Sequence, residues 1–122
     1  MIVNLNMDKN DLKRRTKQFA LRAFAVCEAL PRSAAGKTIA SQLARSASSV
    51  GANYRAACVG RSKAEFYSKL SVTLEETDES AYWLELAGEA KLVDASRLQP
   101  LLNEANELTA IFLASRKTAS RK

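Results

Sequence analysis

The residues best spaced for chemistry are acids in one stretch, LEETDESAYWLEL. Glu76 with Glu79, and Glu75 with Asp78, stand three positions apart, which on a helix puts each pair on one face. Such pairs can ligate a metal inside a helical bundle, but the di-iron arrangement also needs a Glu-x-x-His on two helices, and this chain has no histidine. The same absence removes the usual general base, the usual zinc ligand and every Ser-His or Cys-His nucleophile pair. Cys27 and Cys58 lack a CxxC spacing and read as free thiols in a reducing compartment. A glycine-rich phosphate loop, a Walker lysine and a nucleophile elbow are all missing from the sequence. The residue types therefore argue against an enzyme and require no cofactor or metal.

A second kind of chemistry is better supplied. The formal charge is +6, unevenly spread: residues 1–30 carry +3, residues 31–61 carry +5 with no acid, residues 62–93 carry −4, and residues 94–122 carry +2. One reading pairs the acidic segment (Glu65, Glu75, Glu76, Asp78, Glu79, Glu85, Glu89) with the basic one before it, within or between subunits. The other gathers the excess at the two ends into a nucleic-acid-binding surface. Its candidates are Lys13, Arg14, Arg15, Lys17 and Arg22 near the start, with Arg116, Lys117, Arg121 and Lys122 at the end. The two readings are compatible, because the middle segments nearly compensate each other and the ends do not.

The elements that must carry these residues are helical. Ala, Leu, Glu, Lys and Arg dominate the 122 residues, and there are only four glycines and two prolines. Apolar residues recur at spacings of three and four over about 8–30 (Leu12, Thr16, Phe19, Ala23, Val26, Leu30) and over about 34–59 (Ile39, Leu43, Ala47, Val50, Tyr54, Ala57). A third stripe over about 62–89 (Phe66, Leu70, Thr73, Thr77, Ala81, Leu84) opens on the capping box Ser62–Glu65, and Gly88 lies near its end. A fourth over about 95–117 (Leu98, Leu101, Ala105, Leu108, Phe112) should begin between Asp94 and Pro100, since proline suits a first turn. Pro31 ends the first segment, Gly60 is placed to stop the second, and the basic tail SRKTASRK should fray. Short connections between helices of this length predict one all-α domain over 1–122, an antiparallel up-down-up-down four-helix bundle. No apolar run reaches the roughly 20 residues needed to cross a bilayer and no signal core opens the chain, so the expectation is a cytoplasmic protein without a membrane partner.

Within that frame, RSASSVGANYRAA at 45–57 reads as the middle of the second helix, despite its loop-like composition. Ser46, Ser49, Val50 and Asn53 share the stripe's face and Gly51 lies beside it. Small residues there let a neighbouring helix come close, and their hydroxyls and amide can bond across the contact. Glycine inside a helix costs about 1 kcal/mol against alanine, so tight packing should offset it. Phe24, Tyr67, Val72, Leu86, Leu102 and Leu113 fall outside the four stripes; a monomer would expose them, which predicts a homo-oligomer.

Three stretches together, QLARSASSVGANYRAA, RSKAEFYSKLSVTLEETDESAYWLEL and LLNEANELTAIFLASRKT, resemble the proteins encoded within intervening sequences of bacterial 23S ribosomal RNA genes. That family is related to the accessory variability determinant of diversity-generating retroelements, and the similarity spans about Phe19 to Lys117. The resemblance implies a cytosolic four-helix bundle assembled as a ring-like homopentamer with a basic surface. Nucleic-acid binding and contact with a reverse transcriptase belong to the retroelement branch. Carried to matching positions, the motif residues are Arg45, Ser46, Ser49, Asn53, Tyr54, Glu65, Lys69, Glu76, Glu79, Tyr82 and Trp83, joined by Gly51, with a packing and assembly role expected for most. Family members often carry Glu where this chain has Ala56, which thins any polar network with Arg45 or Arg55. Tyr82 and Trp83 sit about 100° apart on a helix, so one of them should meet another subunit or lie at the rim with its polar tip wet. The leading expectation is an oligomeric scaffold that binds RNA or DNA through pooled basic surface; the alternative is a homo-oligomeric protein–protein adaptor.

Overall fold

Four helices follow one another in the computed structural model, which describes residues 8–120: α1 (Lys9–Ala29), α2 (Ala34–Cys58), α3 (Lys63–Glu89) and α4 (Ala95–Ser120). Each begins on a side chain that takes up a free backbone N–H. The Asp8 carboxylate accepts from Asp11 N at 2.9 Å, and the Ser33 and Ser62 hydroxyls accept from Gly36 N and Glu65 N, each at 3.1 Å. Asp94 Oδ1 accepts from Ser96 N at 3.3 Å. The Ser62–Glu65 box forms, although Glu65 reaches back to Arg61 N rather than to Ser62 itself. The turn before α2 is tight enough to require glycine, because a Cβ on Gly36 would lie 1.9 Å from the Pro31 carbonyl oxygen.

Consecutive helices pack in order, α1 on α2, α2 on α3 and α3 on α4, and α4 returns to α1 along the shortest of the four contacts. This is an all-α, antiparallel up-down bundle. Its core is built from the four stripes: Phe19, Leu43, Leu70, Leu84, Leu108 and Phe112 are fully buried, each worth about 1.5–3 kcal/mol of transfer free energy. Leu74, Ser80, Ala87 and Ile111 join them, while Val26, Phe66 and Ala81 lie at the edge, half-buried. Among the described residues, five buried polar side chains sit in this core, and each bonds back to a carbonyl of its own helix. Thr16 donates to Leu12 O, Thr73 to Lys69 O, Thr77 to Thr73 O, Ser80 to Glu76 O, and Ser46 approaches Leu43 O.

The stretch 45–57 lies wholly inside α2, and its small residues are where neighbours come closest. A Cβ on Gly51 would stand 3.1 Å from Thr16 Oγ1 on α1. On the opposite flank the Ser46 and Ser80 hydroxyls meet at 3.0 Å between α2 and α3.

The helix ends depart from expectation in three places. α2 does stop at Gly60, with Val59 as its cap, but neither Gly60 nor Gly88 is left-handed; among the described residues Lys91 is the one non-glycine with positive φ, at 59°. It occupies the position after the α3 cap, where Leu92 N bonds Ala87 O and Lys91 N bonds Gly88 O, the paired bonds of a Schellman turn. Gly60 and Gly88 serve closeness instead: a Cβ on Gly60 would meet Ala57 O at 3.1 Å, and one on Gly88 would meet Leu98 Cδ1 at 3.3 Å. Pro100 lies inside α4 beyond its first turn, on the exposed side with Ser96, so the carbonyl its ring leaves unbonded faces water. The tail does not fray where expected: α4 continues to Ser120, beyond the expected end near 117.

Two outcomes follow from these contacts. Gly51→Leu should cost about 1–3 kcal/mol by driving a side chain into Thr16, read as a lowered thermal midpoint. Lys91→Gly should add about 1 kcal/mol in urea unfolding, because it relieves a left-handed lysine.

Candidate nucleic-acid interface

The basic residues near the start of α1 have unequal fates. Arg15 is drawn into the bundle: its Nε and Nη2 donate to the two oxygens of Glu104, each at 2.7 Å, and Nη2 also donates to Glu107 at 2.8 Å. These charged bonds, that to Glu104 foremost, raise the guanidinium pKa further above its ordinary value. Arg15 is thus the clasp between α1 and α4. Arg14 is exposed but pairs with Asp11 one turn back. Lys13 is half-buried and Lys17 exposed on the same half of α1. Arg22 does not join them: it lines a cleft of about 260 Å³ with Arg97 and Pro100, at the far half of the bundle.

On α4, Arg116 turns inward toward α3, its guanidinium 5.6 Å from the Tyr67 ring centre and its Nη1 3.3 Å from Ser71 Oγ. Lys117 is exposed in the last turn. Arg121 and Lys122 lie outside the described residues. The start of α1 and the end of α4 do share a pole, since Lys9, Thr118 and Ala119 line one groove there. The same groove is lined by Arg61 and Lys63, which the sequence reading passed over along with Lys9. Antiparallel topology was the available signal, because it places the starts of α1 and α3 at one end.

The α2–α3 face carries the family-like motif. Arg45 donates to Glu76 at 3.2 Å and pairs with Glu79, so the basic second helix and the acidic third do join within one subunit. Glu79 also accepts from Trp83 Nε1 at 3.0 Å; that bond first, and Arg45 second, hold its carboxyl below the usual carboxylate range. Tyr82 stacks edge-on against Trp83 with ring centres 4.9 Å apart, and is 53% exposed, which is the rim arrangement. Glu75 and Asp78 face solvent, so the four acids do not converge.

Of the remaining motif residues, Tyr54 is core, 5.6 Å from Phe112, and burial pushes its phenol pKa up. Asn53 donates to Ser49 O at 2.9 Å within α2, Glu65 caps α3, and Lys69 is exposed. Cys27 and Cys58 are free and half-buried; burial raises the Cys27 thiol, which donates to Ala40 O at 3.3 Å.

Residues 8–114 match the family described as 23S rRNA-intervening sequence protein. A solved structure of a Bacteroides thetaiotaomicron protein of unknown function, from the S23 ribosomal protein family, superposes with a TM-score of 0.81 at 28% identity. The match covers 91% of this chain and 99% of that one. No curated protein sequence matches the chain.

The depressed Glu79 carboxyl sets a pH dependence. Its folded pKa lies below the unfolded value of about 4.3, so its stabilising contribution is complete above that pH and is lost as pH falls through the folded pKa. Glu79→Gln should therefore be less stable than the parent at neutral pH, and the gap should narrow at pH about 3, measured by urea midpoints at both.

Proposed function

The chain belongs to the 23S rRNA-intervening sequence protein family, and on that premise we propose that it is a homo-oligomeric scaffold that binds nucleic acid through basic surface pooled at one pole of the bundle. The observation that supports this reading most is the division of labour among the cations. Arg15 and Arg45 are engaged by carboxylates on neighbouring helices, whereas Lys9, Lys13, Lys17, Arg61, Lys63 and Lys117 have no carboxylate within ion-pair distance among the described residues. Apart from half-buried Lys13, these side chains are exposed, and they gather on the first half of α1 and at the pole it shares with α4. Cations of this kind gain by releasing counterions from phosphates, and that gain does not depend on base sequence.

Assembly would multiply the effect. Of the six side chains expected outside the stripes, Val72, Leu86 and Leu102 are half-buried. Phe24 with Leu21 on α1, and Tyr67 on α3 with Leu113 on α4, stay at least 39% exposed, apolar surface that further copies would cover. With five subunits, as the family resemblance implies, the patch would repeat around a ring, and linked weak contacts would reinforce one another. The adaptor reading draws on a different observation: exposed Tyr82 on Trp83 beside Arg45 is the residue mix of a protein-binding hot spot.

Binding to a long single strand and to a duplex, titrated across a salt series, decides between them. The expected result is binding at low salt with log affinity falling linearly in log salt, by about 0.9 per phosphate contacted on a duplex. Lys13→Gln, Lys17→Gln and Lys117→Gln together should flatten that slope without altering helicity, and light scattering on the same samples gives the number of patches acting together. Absence of binding at low salt, or a triple variant that titrates like the parent, overturns the nucleic-acid reading and leaves the adaptor.

A further inference from the structure

We infer that the groove at the shared pole holds one nucleotide unit of a single strand, with its phosphate on Lys9, Arg61 and Lys63 and its base on the apolar floor beside them. This rests on the nucleic-acid reading above and deepens it, by naming a place and a chemical group.

The groove has a volume of about 440 Å³, within the roughly 300–1,000 Å³ typical of small-ligand sites. Its floor is Ala57, Cys58 and the half-buried ring of Phe66; its rim is Lys9, Arg61 and Lys63, and none of the described residues lining it is acidic. Helix dipoles do not decide the sign of the field here. Two helix starts (α1, α3) and two helix ends (α2, α4) meet at this pole, so their partial charges oppose one another. Asp8, the cap of α1, and Glu65, bonded to Arg61 N, stand close by, and the three side-chain cations on the rim outnumber them.

The arrangement is amphipathic in the way a nucleotide is. Lys9 Nζ lies over the face of the Phe66 ring, 5.4 Å from its centre, so an ammonium and the apolar floor meet at that ring. A flat base that takes the ammonium's place on that ring would leave Lys9 beside it, within reach of its phosphate. Ser115 and Thr118, also on the groove wall, donate their hydroxyl protons to Ile111 O and Ala114 O, so their oxygens are left as acceptors toward the groove. The bases of a duplex are stacked on one another and cannot lie on such a floor, whereas those of a single strand can.

The test is calorimetric titration of the full chain with a 5′-phosphorylated trinucleotide, and separately with inorganic phosphate, at low salt. Lys9→Gln with Lys63→Gln removes two rim cations; Arg32→Gln with Lys37→Gln removes the same charge from the opposite pole, and circular dichroism confirms both fold. Expected are trinucleotide binding by the parent, at least about a tenfold loss in the rim variant, and less than about a threefold change in the control. Equal losses in both variants would show diffuse attraction and overturn the groove site. Inorganic phosphate bound as tightly as the trinucleotide overturns it too, since the floor then contributes nothing. A chain that binds long strands but no trinucleotide loses the groove and keeps the parent reading; one that binds neither loses both.

Discussion

The bundle depends on one constraint: its helices approach through small and hydroxylated side chains, and every hydroxyl that goes inside must be satisfied there. Thr16, Ser46, Thr73, Thr77 and Ser80 are fully buried, and no buried side-chain oxygen or nitrogen among the described residues lacks a partner. A carbonyl one turn back in the same helix, i−4 for four of them and i−3 for Ser46, meets that need, so a core threonine occupies about the space of a valine without leaving an orphaned dipole. Gly51 against Thr16, and Ser46 against Ser80, are then contacts that larger side chains would hold apart. Once α1 and α3 are drawn against α2 in this way, α4 has a single remaining place, and the positions of Arg15, Arg45 and the polar groove follow from it.

Periodicity made most of this legible. A buried face leaves a three-four repeat whatever its neighbours are, and the stripes on α1, α2 and α4 are core at nearly every position named. Caps were equally readable, because Ser62 and Glu65 act over a few residues. The helix ends were harder. A glycine near a helix end suggests a left-handed stop, but Gly88 is there so that Leu98 can approach, and the stop falls on Lys91, which no propensity would choose. In α4 the position of Pro100 is tolerated only because its side of the helix is wet, a fact of packing and not of the local sequence.

The surface was half legible. Opposite charge on the second and third segments foretold that they would pair, yet not that Arg45 alone would bridge Glu76 and Glu79. The bonds of Arg15 to Glu104 and Glu107 had no signal at all: the partners are separated by most of the chain, and a run such as LKRRTK looks uniform until one member finds carboxylates across the bundle. Lys9, Arg61 and Lys63 carry no local signal, and the expected antiparallel topology is what could have grouped them. Each is an ordinary isolated cation, and they become a group only when antiparallel helices bring their ends together.

The Arg15 clasp also bears on the order in which the fold is expected to assemble. Contacts between successive helices join segments linked by short turns, so each helical hairpin closes at small entropic cost and can form early. The edge between α1 and α4 joins the two extremes of the chain and is the shortest contact, held across by one guanidinium between two carboxylates. Loop-closure entropy predicts that this seam closes last and parts first. A seam of this kind is where a terminal helix would be exchanged with a neighbouring copy, if copies meet, each keeping the same helix-to-helix pairing.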